Sequence, residues 1–245
     1  MKKLNLLFIA AALVVLAVSS CGKGEKVKPK TEPKLGDNYP TVLNSIVTPD
    51  MIDTLKKHGL VINAGTTPPV VDGVFLQAPD ICIYDNATPA NAGKLFTNYE
   101  YQFLNQDNSK YTVTVNYSNA IVGADDSGTD GSATYIAGQG NFFTVFAEVT
   151  GTLNGVTYKE LQVLTGELAP TGLKNFQWAF LMKSKTDDPG DHKVAKVGTI
   201  RIFNDKDGFS EKQATFTTNS FTQNLMQNAI RQDGKPILAA STGQN

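Results

Sequence analysis

Apolar and polar positions alternate through most of the chain from residue 70 to about residue 218. Tyr111, Val113, Val115 and Tyr117 alternate with Thr112, Thr114, Asn116 and Ser118, and Tyr99, Tyr101 and Phe103 do the same just upstream. A period of two sends successive side chains to opposite faces, so each run predicts a half-buried strand, with residues 105–109 as the turn between them. Phe143, Val145, Ala147 and Val149 continue the pattern, as do Phe176, Trp178, Phe180 and Met182. Asn154-Gly155 separates the third of these runs from residues 156–165 and is a strong hairpin signal, because both residues tolerate positive φ. Residues 74–78, 81–84, 197–203 and 213–217 read as further strands. One helix precedes them. Thr48 is its N-cap, Pro49 its first residue, Met51, Ile52 and Leu55 its apolar stripe, and Gly59 the residue just past its end. Residues 221–231 form a candidate terminal helix, since Phe221, Leu225 and Ala229 share a face. Sequential strands joined by hairpin turns predict an all-β, antiparallel up-and-down barrel of about eight to ten strands with a short N-terminal helix.

The first residues have a different pattern. Lys2 and Lys3 precede an apolar run over residues 4–18, about the length of the hydrophobic region of an export signal and short for a spanning helix. The run ends in Val18-Ser19-Ser20-Cys21, which resembles the lipobox of bacterial lipoproteins, although Val18 stands where leucine is commoner. The resemblance implies cleavage before Cys21, a diacylglycerol on its sulfur and acylation (palmitate) of the new amino terminus. Gly22 after the cysteine implies, by the same resemblance, transfer to the outer membrane. An ordinary secretory signal cleaved near Ser20 is the alternative. The expected organisation is a signal peptide over 1–20, a lipidated tether over 21–40 and one barrel domain over 41–245.

Charge and cysteine content refine this picture. Lys23, Lys26, Lys28, Lys30 and Lys34 crowd the segment after Cys21, with Pro29 and Pro33 stiffening it, so it reads as a solvated tether with a secondary attraction to anionic lipid. From Leu35 onward acids outnumber bases, which argues against a nucleic-acid partner. Of the two cysteines only Cys82 remains once Cys21 carries lipid, so no intramolecular disulfide forms. Cys82 lies in the run Ile81-Cys82-Ile83-Tyr84 and reads as a buried core residue rather than a reactive thiol.

A second resemblance covers residues 48–182. The helix ending at Gly59, followed by Gly65, Pro68-Pro69 and Gly73-Val74-Phe75, is similar to the opening of lipocalin-like (calycin-like) lipoproteins of the Bacteroidetes type, and residues 138–146 resemble a strand of that group. The resemblance implies a lipocalin-like barrel in a group mostly without assigned function. Phe75 stands where true lipocalins have the tryptophan of Gly-x-Trp.

Candidate chemistry is sparse. His58 sits at a helix end and His192 in an acidic loop beside Asp191, with no nucleophile nearby. Metal-binding His-Glu-x-x-His, nucleophile-elbow and paired-cysteine motifs are missing. No catalytic residue, metal ligand or cofactor is read from the sequence, although two acids distant in the chain can still meet in space, as in a glycan hydrolase. Asp205-Lys206-Asp207-Gly208 resembles the centre of an EF-hand, but Phe203 and Ala214 fall where the first and twelfth ligands belong, so a hairpin turn is expected. The acidic loop over 125–131 reads as a solvated connection with the oxygen density for a weak cation site. Gly138 and Gly140 suggest a bend or bulge. Trp178, with Tyr99 and Tyr101, is the candidate ligand-binding set, since its ring could stack on a sugar, while its alternation with Phe176 and Phe180 suits core or pocket wall. The leading expectation is a membrane-anchored, non-catalytic protein binding a small-molecule or glycan-like ligand in the barrel mouth. The alternative is a structural or assembly partner of other envelope proteins.

Overall fold

The computed structural model describes residues 34–119, 127–191 and 193–216, with only the backbone of residues 127–133 and Asp191. The export signal, Cys21, residues 21–33 of the tether, His192, Asp125, Asp126 and the 221–231 segment lie outside the described residues. The strands are β1 (Thr66–Thr67), β2 (Gly73–Gln77), β3 (Asp80–Asp85), β4 (Tyr99–Asp107), β5 (Thr112–Asn119) and β6 (Ser127–Gln139). They continue with β7 (Phe142–Leu153), β8 (Val156–Ala169), β9 (Gly172–Lys185), β10 (Ile200–Asp205) and β11 (Phe209–Gln213). Helix α1 (Pro49–Lys57) precedes them. It is capped as its sequence predicts: the Thr48 hydroxyl accepts from the Met51 N–H at 3.3 Å, and Gly59 takes φ +102° just past its end.

From β4 to β9 each strand pairs antiparallel with the next in sequence, an up-and-down meander. The meander closes because β11 pairs both with β2 and with the start of β9, giving a ring of β2, β4 to β9 and β11. β9 serves two neighbours in turn. Its residues 172–174 face β11, and its residues 177–181 face β10, which in turn pairs with β3. Asn175, at φ +49°, marks the change of partner, and its N–H donates to the Gly208 carbonyl at 2.9 Å.

Four elements differ from the sequence reading. β6 reads as a loop because its first half is rich in Ser, Gly, Asp and Thr, yet its backbone pairs on both sides, with β5 and β7. β10 begins at Ile200 rather than 197, and the last strand is Phe209–Gln213 rather than 213–217. Tyr111 lies outside its expected strand, at φ +59°. At Gly138 two backbones approach closely: a side chain at Gly65, the residue before β1, would collide with the Gly138 carbonyl, where β1 runs parallel to β6.

An eight-stranded ring has an interior just wide enough for side chains to fill or to hold one small ligand. Here aromatic side chains fill its centre. Trp178 stacks on Phe203 at 4.4 Å and 12°, with Tyr99 at 5.5 Å, Tyr101 at 6.0 Å and Phe180 at 6.1 Å. Tyr101 in turn meets Phe176 at 5.5 Å. Nearby, the Arg201 Nε donates to Asp85 Oδ2 at 2.6 Å, and the guanidinium lies 5.9 Å from the Phe96 ring centre. Asp85 is further satisfied by Asn91 and by the N–H groups of Ala87 and Thr88, so this buried ion pair is fully hydrogen-bonded on its carboxylate. Glu160 and Gln162 also face inward, opposite Val149 and Ala147 on β7, and the Gln162 amide donates to Glu160 at 2.6 Å.

A second apolar layer lies outside the ring. Leu43, Val47, Ile52, Leu55, Leu60 and Ile62, from α1 and its flanking segments, pack on Phe146, Leu161, Val163, Ala179 and Ile202 of the outer wall. Leu35 and Tyr39 join the same layer. No helix among the described residues is long and apolar enough to cross a membrane.

Trp178 is the chain's single tryptophan and is fully buried, so native fluorescence is expected to be blue-shifted and resistant to iodide. Trp178→Ala is expected to cost about 3–5 kcal/mol, the usual loss for a buried large aromatic, measured by denaturant unfolding. Efficient quenching together with unchanged stability would contradict this packing.

Candidate functional site

Outward-facing polar side chains on the wall of the ring bind the chain that crosses it. After Gly59 the backbone runs extended over the outer face as a strap. The Val61 N–H donates to Gln177 Oε1 at 2.7 Å, and the Gln177 amide donates to the Gly59 carbonyl at 3.1 Å and to Asn204 Oδ1 at 2.7 Å. One turn of the strap further on, the Asn63 N–H donates to the Thr144 hydroxyl at 2.8 Å, and its amide donates to the Thr165 hydroxyl at 3.0 Å and the Phe143 carbonyl at 3.1 Å. Buried outward positions such as Thr144, Thr165 and Gln177 thus meet backbone groups that would otherwise lack partners.

Between this strap and the β10–β11 corner lies a cleft of about 360 Å³. Specific ligand pockets begin at about 300 Å³. Val61 and Asn63 form one wall, Thr165 to Glu167 on β8 and Asn175 to Gln177 on β9 the floor, and Asn204 and Asp205 the far wall. Phe142, 50% exposed, stands at its rim. The cleft exists because β9 changes partner at Asn175, which separates β10 from β11 at this level. Its polar lining is mainly carboxamide: both amide hydrogens of Asn63 and of Gln177 are taken up by the strap and the wall, while Asn63 Oδ1, the Asn204 amide and the Asn175 side chain make no hydrogen bond within the described residues. A second depression, about 170 Å³ between α1 and the wall, is lined by Met51, Leu55, Leu161, Val163, Leu181 and Ile200 and is almost wholly apolar.

On the inner face of the same wall lies an acidic corner. Asp205 pairs across the β10–β3 ladder with Asp80, and the Ser210 hydroxyl donates to Asp205 Oδ2 at 2.5 Å. Burial pushes the Asp205 carboxyl up to about 7, reinforced by the hydrogen bond it shares with Asp207 and by that residue's charge. Asp80 is wholly buried; its Oδ1 accepts from the Gln77 amide at 2.7 Å and its Oδ2 from Trp178 Nε1 at 3.4 Å. Desolvation, with a smaller push from Asp205, holds its carboxyl well above the ordinary carboxylate range.

The sequence-predicted residues fall as follows. Trp178, Tyr99 and Tyr101 do come together, but as a packed interior with no side-chain exposure, so they line no open surface in this structure. Cys82 is fully buried, and burial, helped by Asp85, pushes its thiol up to about 12. His58 caps the C-terminal end of α1 and stacks on Tyr84 at 3.8 Å. The 205–208 segment is the expected turn, with the Gly208 N–H donating to the Asp205 carbonyl at 3.2 Å. Among the described residues no three His, Cys, Asp or Glu side chains converge as metal ligands. The sequence reading missed Asn63, Phe142, Asn175, Gln177, Asn204 and the role of Asp205. Gln177 and Asn204 carried a signal: amides at the outward phase of two strands that pair directly.

The Asp205 carboxyl is raised above its unfolded value of about 4. Its stabilising contribution is therefore complete below pH 4 and lost as pH rises through about 7. Stability is expected to fall by about 1 kcal/mol between pH 6 and pH 8, a drop of about 2–4 °C in Tm for a domain of this size. Asp205→Asn should flatten that slope, as thermal unfolding at a series of pH values would read. No protein-family model matches this chain, and neither a curated protein nor a solved structure matches it.

Proposed function

We propose that this protein is a lipid-anchored envelope lipoprotein of the outer membrane that binds a small, hydroxyl-rich ligand of glycan type without transforming it. The binding site is the cleft beneath the strap rather than the barrel lumen. The observation that carries this reading is the pairing of an exposed aromatic ring, Phe142, with converging carboxamides in one recess of about 360 Å³. A sugar offers an apolar face for such a ring and hydroxyls that both donate to and accept from amides. The aromatic packing of the interior supports a site outside the lumen. The anchor rests on Val18-Ser19-Ser20-Cys21 and the lysine-rich segment after it.

A second reading, an assembly partner of other envelope proteins, is favoured by one observation. Val61 and Phe142, 58% and 50% exposed, place two large apolar side chains on the same cleft.

A glycan array probed with the labelled protein tests the first reading. Phe142→Ala is expected to weaken the captured glycan about tenfold, the scale of one lost ring contact. Stability should change by less than about 0.5 kcal/mol, since the ring is half exposed. Undiminished binding by this variant would place the site elsewhere, and an array without any captured glycan would favour the assembly reading. Cys21→Ala is expected to abolish labelling by a fatty-acid analogue in cells; a variant that still labels would refute the anchor.

A further inference from the structure

The cleft presents hydrogen-bonding groups of fixed polarity. Asn63 is locked by the wall: its amide nitrogen donates to the Phe143 carbonyl at 3.1 Å and to the Thr165 hydroxyl at 3.0 Å. A carbonyl only accepts, so this carboxamide cannot flip, and Oδ1 is the end left over. Asn204 is locked through Gln177. The Val61 N–H only donates and the Gly59 carbonyl only accepts, which sets Gln177 Oε1 toward Val61 and its nitrogen toward Gly59 and Asn204. That nitrogen only donates, so Asn204 turns Oδ1 to it at 2.7 Å and keeps Nδ2 free. Neither Asn63 Oδ1 nor Asn204 Nδ2 makes a hydrogen bond within the described residues, and neither atom is buried. One stands on each wall of the cleft, a set acceptor facing a set donor. Val61 and Phe142 are the exposed apolar side chains beside them.

We infer that the ligand of this cleft is an acetamido sugar, an N-acetylhexosamine, whose amide bridges Asn63 and Asn204. The inference rests on the reading of the cleft as a glycan site and names the class of sugar it accepts. A secondary amide in its trans form carries one donor and one acceptor, aimed to opposite sides of one rigid plane. Its N–H meets Asn63 Oδ1 and its C=O meets Asn204 Nδ2, so a single group satisfies both walls. The acetyl methyl takes the apolar contact at Val61 or Phe142. A hydroxyl rotates to suit either wall, so the fixed polarity of the cleft gives it no advantage. Asn175, whose side chain has no partner within the described residues, remains for the ring hydroxyls. The carboxyls of the lining suit a neutral ligand: Lys174 pairs with Glu167 at 3.5 Å, and Asp205 turns to Ser210 on the inner face.

N-acetylglucosamine and glucose differ only at one ring position, where an acetamido group replaces a hydroxyl. Each would be titrated into the purified protein, with binding followed by the NMR signals of the Phe142 ring and of the Asn63 and Asn204 side-chain amides. The acetamido sugar is expected to bind at least about tenfold tighter than glucose, the scale of one or two added hydrogen bonds. Asn204→Asp keeps the oxygen that accepts from Gln177 and replaces only the free donor by an acceptor, so it should erase that preference. If the variant fails to fold, the wild-type comparison of the two sugars decides alone. Equal affinities with shifting cleft signals would overturn the inference and leave a site that reads hydroxyls. Tighter binding of N-acetylalanine amide than of the acetamido sugar would overturn it in favour of a peptide. Silence of the cleft signals toward all three compounds would overturn the binding reading and this inference with it.

Discussion

The stack of Trp178 on Phe203 joins two adjacent strands, β9 and β10, at the centre of the ring, and most of the remaining interior is arranged around it. Tyr99 and Tyr101 close on the indole from β4 and Phe180 from β9 itself, while its N–H reaches Asp80 at the corner. Large aromatic side chains bury more apolar surface than any others, so a ring this narrow is filled by few of them. Filling has a functional corollary. Space for a ligand must come from outside the ring, and it appears where the outer wall is least regular.

That irregularity is the change of partner along β9. A single strand cannot keep full pairing with β10 and β11 at one level, and the residues between the two registers, 175 and 176, pair with neither strand. The extended strap after α1 covers one side of the gap and is fixed there by side chains that also line it. Gln177 illustrates the economy of the arrangement: its carbonyl holds the Val61 N–H, and its amide bridges Gly59 and Asn204. The same residues that satisfy the strap's backbone give the cleft its polar character. Behind the wall, Asp80 and Asp205 are held together in a burial that favours their protonated forms.

Much of the fold was legible in the sequence because the ring is regular where its pattern is. The inward phase of Phe176, Trp178, Phe180 and Met182, the Asn154-Gly155 hairpin and the capped helix α1 all follow from local periodicity and turn chemistry. β6 was not legible, since strand pairing on both sides overrides the weak strand preference of Ser, Gly and Asp. Trp178 shows the limit for the site. Periodicity places it on the inner face, but whether that face is open or packed depends on Phe203 from β10 and Tyr99 and Tyr101 from β4. The cleft was invisible for a like reason: Asn63, Gln177 and Asn204 converge only through the strap and the partner change, neither of which has a sequence period.

The order of strands along the chain also determines when the ring can close. Pairing from β4 to β9 proceeds between neighbours in sequence, so each step brings together segments already close along the chain. Closure instead joins Gln213 to Val74, nearly the full span of the ring. Loop-closure entropy makes such a contact slow to form, and it cannot form until the last strand is available. Until then β2 and the start of β9 are open edges with unpaired N–H and C=O groups, each a template for a strand of another molecule. A five-residue strand near the end of the described chain is thus what separates a closed monomer from a sheet prone to aggregation.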